Sequence, residues 1–308
     1  MPGGGHQPLV FLPARPESFG PHGRSFLVMK LEKLGDWIIL GFGVAAISWG
    51  GPLIRLTSAP ALTVAAWRMA LAALILLPLG VRGWRRKEAV LAGLAGAFLA
   101  AHLAFWIQAL RLTSVASAVV LVNTTPLFVG LISWLLGERI ERAFWSGVFL
   151  ALFGTVLIGL GDFSLSRTAL LGDLLALLGA LGFAGYLLLG RRAQRGMSLF
   201  PYVSLTYAGA ALILAFLAWT KKTLLPPRSD WPWLVLIALV SQVLGHTTVN
   251  RALRRFPAWA VAVVVLGEPA GAALWAYLLF REALRPLQGL GMLLVFLGIL
   301  WGLRSLRR

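Results

Sequence analysis

Ten stretches of roughly twenty predominantly apolar residues, joined by short basic linkers, leave this chain few folds to choose from. Each is long enough for an α-helix to cross the ~30 Å hydrocarbon core of a bilayer. In that medium only helices and closed barrels can pair all their backbone groups. The stretches fall near residues 36–54, 61–81, 89–110, 114–136, 143–161, 172–190, 197–219, 232–250, 257–280 and 286–303. Connections of a few residues make successive helices antiparallel neighbours. The expected fold is therefore an all-α membrane protein of ten transmembrane helices in one bundle, with no extramembrane domain. Composition agrees: 59% of the 308 residues are hydrophobic, 13% are charged and the mean hydropathy is +0.83, so no water-soluble core could conceal so much apolar surface.

A net charge of +17 would suggest a nucleic-acid partner in a soluble domain, but here the basic residues sit between apolar runs and read as topology signals. If the N-terminus is cytoplasmic, the inner side holds Lys30, Lys33, Arg82, Arg85, Arg86, Lys87, Arg139, Arg142, Arg191, Arg192, Arg195, Arg251, Arg254, Arg255, Arg304, Arg307 and Arg308. The outer side holds only Arg55, Arg111, Arg167, Lys221, Lys222, Arg228, Arg281 and Arg285, so the chain is expected in the cell (cytoplasmic) membrane with both termini in the cytoplasm. The stretch 1–28 has no long apolar core and no charged-then-apolar order, so it is not a secretory signal. It is expected to be a disordered extension, or to precede the true start at Met29. The absence of cysteine excludes disulfides, thiolate metal sites and a cysteine nucleophile.

The chain also repeats itself. Gly35-Asp36 before the first span recurs as Gly172-Asp173 before the sixth, and Arg55 recurs as Arg192. Ala109-Leu110 recurs as Ala252-Leu253 and Pro126 as Pro269, both at a shift of 143 (269 − 126). One residue further on, Glu138 matches Glu282, Gly147 matches Gly291 and Gly154 matches Gly298. The expected domains are thus two five-helix repeats, 29–165 and 166–308. Five is odd, so the second copy enters the membrane from the opposite side. In such inverted pairs solute sites lie between the repeats near the midplane.

Polar residues inside the spans are the candidates for function. Glu268 is the single charge between Phe256 and Phe280, beside Pro269, and only the second repeat carries it. Burying an ionised carboxylate there costs several kcal/mol, so the group faces a cavity or a partner, or it is neutral and helps close a helix contact with Gly267 and Gly271. Arg68 in the second span has three readings: an anion contact, a partner of Glu268, or a snorkelling side chain. His102 with Trp106, and His246 with Asn250, are four-residue pairs that share a helix face, and each His could bind solute, relay protons or bond a neighbouring carbonyl. Asn123, Thr124 and Thr125 precede Pro126, where they could repair the helix or touch solute. Trp49, Tyr186 and Trp275 are further candidates for a cavity wall, against the alternative of interfacial anchors. Glu138 and Glu282 stand beside Arg139 and Arg281 at span ends, where local pairing explains them.

With these features in view, the chain from about Asp36 to Leu303 resembles the drug/metabolite transporter superfamily, specifically its EamA-type ten-helix members. The resemblance is carried by Trp49-Gly50, Trp67-Arg68, Ser114 to Pro126 followed by Gly137-Glu138, and Glu268-Pro269 with Glu282 and Gln288-x-x-Gly291. Phe144 departs from the pattern where Gln is expected. The resemblance implies a carrier of small metabolites, frequently an exporter, with a central cavity built from both halves. The expected function is a secondary transporter that moves an amino acid, a nucleoside or an amphiphilic drug-like compound by alternating access. Proton coupling and a homo-oligomeric state stay open, and no cofactor or metal site is expected. An intramembrane enzyme would need paired acids, an H-E-x-x-H spacing or a serine-based site, and a channel would need charge rings or a carbonyl filter; the sequence offers neither.

Overall fold

A computed structural model describes residues 26–80, 85–160, 166–281 and 285–306. The expected extension 1–28 lies outside the described residues up to position 25, as does Glu282. All ten expected spans form: Leu34–Arg55, Ala61–Leu79, Arg86–Leu112, Ser117–Leu135, Arg142–Gly159, Arg167–Ala193, Leu199–Thr220, Arg228–Ala252, Ala258–Phe280 and Pro286–Leu306, numbered here as spans 1 to 10. No strand occurs among the described residues, and the protein is a multi-pass, all-helical membrane protein.

Burial is inverted relative to a soluble protein. Large apolar side chains such as Leu212, 73% exposed, and Leu74, 65% exposed, cover the outside, while Arg68, Gln242 and Asn250 are buried. Span 3 packs against span 6, span 5 against span 10, and span 2 against span 7. Spans 3 and 6 are the longest, at 27 residues each, and exceed the apolar stretches because helix continues through their polar ends. In span 6 the Ser166 hydroxyl caps the start by accepting from Ala169 N at 3.0 Å, and Arg191 and Arg192 in the last turn oppose the negative end of the helix dipole. Spans 5 and 10 meet backbone to backbone. A Cβ on Gly154 would stand 2.5 Å from Gly291 O, and one on Gly298 would stand 2.6 Å from Gly147 O, so small residues are what allow this approach.

Four spans depart from a straight α-helix. Span 1 breaks at Ser48-Trp49, span 4 at Asn123-Thr124 and span 9 at Leu266-Gly267. In spans 4 and 9 the second half-helix starts one residue before its proline, Thr125–Leu135 with Pro126 and Glu268–Phe280 with Pro269. A proline at that position has no intrahelical donor to lose. In span 8 the segment Ile237–His246 winds as a π-helix, a geometry frequent at functional sites.

At one end of the bundle the loop after span 7 is tied across the loop between spans 1 and 2. Asp230, buried, accepts from Ser58 N at 2.9 Å, from Ala59 N at 2.7 Å and from the Ser58 hydroxyl. Trp67 Nε1 donates to Leu224 O at 2.8 Å, and Thr63 donates to Thr223 O. Arg111 reaches Ala59 O at 2.5 Å.

Candidate functional site

Arg68 sits on the helix Ala61–Leu76 with 1% of its surface exposed, which rules out snorkelling. Its Nε donates to Gln242 Oε1 at 2.8 Å and a terminal nitrogen donates to Ser241 Oγ at 3.2 Å. Both acceptors lie on the π-wound part of span 8. Two neutral acceptors solvate the guanidinium without cancelling its charge, so it remains a cation in a low-dielectric interior.

Glu268 opens the second half-helix of span 9, where the exposed N–H groups of a helix start favour negative charge. Among the described residues no donor lies within hydrogen-bond distance of its carboxylate, and it forms no ion pair with Arg68, although each side chain lies in the other's field. Both line one cavity with His102, Trp106, Asn123, Thr125, Phe183 and His246, gathered from spans 2, 3, 4, 6, 8 and 9. About 30 Å³ of it is open to the centre of a water molecule, enough for water but not for a free metabolite.

Several polar atoms on this wall are idle. His246 Nδ1 and Trp106 Nε1 are buried without a partner, as is the neighbouring Gln242 Nε2. A buried polar atom left unpaired costs about 1–3 kcal/mol, so these atoms leave hydrogen-bonding capacity for a polar guest or ordered water. His102 is different. Its Nδ1 donates to Gly179 O at 2.9 Å, which fixes the tautomer and leaves Nε2 as an acceptor, and its ring stacks on Phe183 at 4.7 Å and parallel to Trp106 at 6.1 Å. Gly179 and Gly182 of span 6 allow this approach, since a Cβ on Gly182 would stand 3.0 Å from His102 N.

The threonines before Pro126 repair the helix break. Thr124 Oγ1 donates to Leu121 O at 2.6 Å and Thr125 Oγ1 to Val122 O at 2.8 Å, while the Asn123 amide donates to Val119 O at 2.8 Å. Of the sequence candidates, Arg68, His102, Trp106, Asn123, His246 and Glu268 come together around the cavity, and four others lie elsewhere. Asn250 and Tyr186 stand behind the wall: the Asn250 amide donates to His246 O at 2.9 Å, to Tyr207 OH at 3.2 Å and to Tyr186 OH. The face shared by His246 and Asn250 is therefore split, one towards the cavity and the other into a tyrosine cluster. The Trp49 and Trp275 rings pack against each other at 4.3 Å, tilted by 33°, and Trp275 Nε1 donates to Ser48 Oγ at 2.9 Å, pinning the break in span 1 to the second half-helix of span 9.

Sequence reading assigned no role to Ser241, Gln242 or Phe183. The signal for the first two was present: a buried Arg needs acceptors, and two adjacent polar residues in the middle of an apolar span supply them. Among the described residues no group of three His, Asp or Glu side chains could hold a metal ion.

Comparison with known proteins places this geometry in context. The EamA-like transporter family matches the chain twice, over residues 35–160 and 170–303. An uncharacterized transporter of Bacillus subtilis, YwfM, is 28% identical over 272 residues, covering 83% of this chain and 90% of its own. The threonine/homoserine exporter RhtA of Escherichia coli is 29% identical over 276 residues, covering 84% of this chain and 89% of its own. A protein crystal structure superposes with a TM-score of 0.74 at 20% identity, covering 89% of this chain and 98% of the other, which supports the ten-helix architecture.

Proposed function

The chain belongs to the EamA-like transporter family, and from that premise we propose that this small-solute transporter carries a zwitterion of the amino-acid type outward by alternating access. The observation that carries the reading is that Arg68 and Glu268, opposite in charge, line one cavity without pairing with each other. Two charges left apart in a low-dielectric interior suit a guest with a carboxylate at one end and an ammonium at the other. Arg68, held by Gln242 and Ser241, takes the carboxylate. Glu268, with no protein donor, takes the ammonium. The flat wall of His102, Trp106 and Phe183 accommodates the side chain.

The same arrangement gives a route to coupling. A single carboxylate can hold the solute's ammonium or a proton but not both, so solute leaving one side and a proton entering from the other would exchange at Glu268. Outward transport draws support from RhtA, an exporter by name. The repeats 29–165 and 166–308 are the two moving halves in this reading, supported by matching helix breaks before Pro126 and Pro269. In this reading both termini lie in the cytoplasm, which the loop charges support.

Counterflow in proteoliposomes tests the reading. Threonine or homoserine should exchange, while the methyl ester, lacking the carboxylate, and the N-acetyl derivative, lacking the ammonium, should not. Equal exchange of all three would remove the zwitterion reading.

A further inference from the structure

A second concave site lies outside the central cavity, where span 6 ends and span 8 passes into its following loop. It has a volume of about 280 Å³ and is lined by Arg191, Gln194, Arg195, Arg254 and Arg255 over a floor of Leu253 and Phe256. The floor is well packed, with Leu253 and Phe256 buried and Trp37 against Phe256 at 4.0 Å between ring centres.

The charges around it do not balance. Asp36 approaches Arg255 at 3.8 Å and Glu138 lies in the field of Arg191, but the guanidinium groups of Arg191, Arg195 and Arg254 donate to no acceptor among the described residues. Arg191 also has a buried terminal nitrogen with no partner. Like charges gathered around one hollow repel each other, and Arg191 lies in the field of Arg195. A bias of basic residues towards one side of the membrane explains how many arginines stand at this end. It does not explain why four of them turn into one hollow or why a guanidinium N–H is buried there unpaired.

Gln194, more than nine-tenths buried, adds chemical detail. It is 6% exposed, its Nε2 donates to Asn250 O at 3.0 Å, and its Oε1 is buried and accepts nothing. The site thus combines planar cationic forks, which match phosphate oxygens in pairs, with one acceptor that needs a hydroxyl or amine donor. We propose that this hollow binds a phosphate group carrying a neighbouring hydroxyl, as in a glycerol phosphate, with the arginines on the phosphate and Gln194 Oε1 on the hydroxyl. The ligand could come from the headgroup of an anionic phospholipid, for which basic pockets between transmembrane helices are suited, or from a soluble phosphate ester. The inference is independent of what the central cavity carries.

Native mass spectrometry of the full-length protein in detergent distinguishes the sources. The probes are dihexanoyl-phosphatidylglycerol, dihexanoyl-phosphatidylcholine, glycerol 3-phosphate and inorganic phosphate. Wild type should bind phosphatidylglycerol at least tenfold more tightly than phosphatidylcholine, and Arg191→Gln/Arg254→Gln should lose that preference. The exposed single change Arg254→Gln is the fallback if the double variant does not run as a single species on gel filtration. Arg86→Gln/Lys87→Gln, basic residues outside the hollow, should leave the preference intact. Tight binding of phosphatidylglycerol alone assigns the site to a lipid headgroup, and comparable binding of glycerol 3-phosphate assigns it to a soluble ester. Equal binding of the two lipids, inorganic phosphate binding as tightly as glycerol 3-phosphate, no binding of any probe, or equal losses in the hollow and control variants would overturn the proposal.

Discussion

Arg68 and Gln242, 174 residues apart in the chain, meet side chain to side chain at 2.8 Å in the buried middle of the bundle. The amide leaves the guanidinium its full charge, and this suggests a sharp test. Gln242→Glu would give Arg68 a permanent carboxylate partner in place of a transient one. The protein should still fold, while KM for the zwitterion rises at least ~10-fold, the equivalent of 1.4 kcal/mol. Unchanged KM in proteoliposome flux would show that Arg68 does not meet the solute carboxylate.

Glu268 has no donor from the protein, so Glu268→Gln should cost little stability and leave the size-exclusion profile unchanged. Because the amide cannot take up a proton, stimulation of flux by a pH gradient should disappear. A variant that keeps the wild-type response to the gradient would reduce Glu268 to a packing residue.

Asp230 holds two backbone N–H groups of the loop between spans 1 and 2. Hydrogen bonds to a charged group contribute about 1.5–3 kcal/mol each, so Asp230→Ala should lower the melting temperature measurably. It should also speed labelling of a cysteine placed at Thr57. Labelling at the wild-type rate would mean that the loop is held from elsewhere.

The crossing of spans 5 and 10 predicts a contrast between two glycines. Gly154→Ala would push a methyl against Gly291 O at 2.5 Å and should destabilise by about 1–3 kcal/mol, as overpacking does. Gly289→Ala, on span 10 but with nothing within 4 Å of the new methyl, should be neutral or slightly stabilising. Thermal melting of the two side by side decides the point, and equal effects would contradict the close crossing.

Orientation can be read with single cysteines. Leu225, 79% exposed, and Ser166 should label from outside in intact cells, whereas Ser198 should label only after permeabilisation. The reverse pattern would invert the proposed topology.

The spans and two of the helix breaks were legible because each rests on local information: a run of apolar residues, or a proline whose donor is missing. Arg68 and Glu268 stood out for the same reason, as charges in apolar surroundings. What could not be read is which way a side chain turns once helices pack. Asn250 follows His246 by one helical turn, yet three acceptors draw its amide away from the cavity. Trp49 and Trp275 read as wall residues but pack against each other. The role of Asp230 carries no local signal, since its partners Ser58 and Ala59 lie more than 170 residues earlier.

Span 8 holds its polar contacts on a π-wound segment, Ile237–His246, within an otherwise α-helical span. A wider turn takes up more chain than the same height of α-helix, so this span stores slack that its neighbours lack. Tightening the segment to α winding would rotate Ser241 and Gln242 against Arg68 while the ends of the span stay in place. It also means that losing one residue here could be absorbed by unwinding the excess, whereas a deletion within span 3 would turn everything beyond it to a new face. Length variation among related chains is therefore best tolerated in span 8, whose Ser241 and Gln242 accept from the buried Arg68 of span 2.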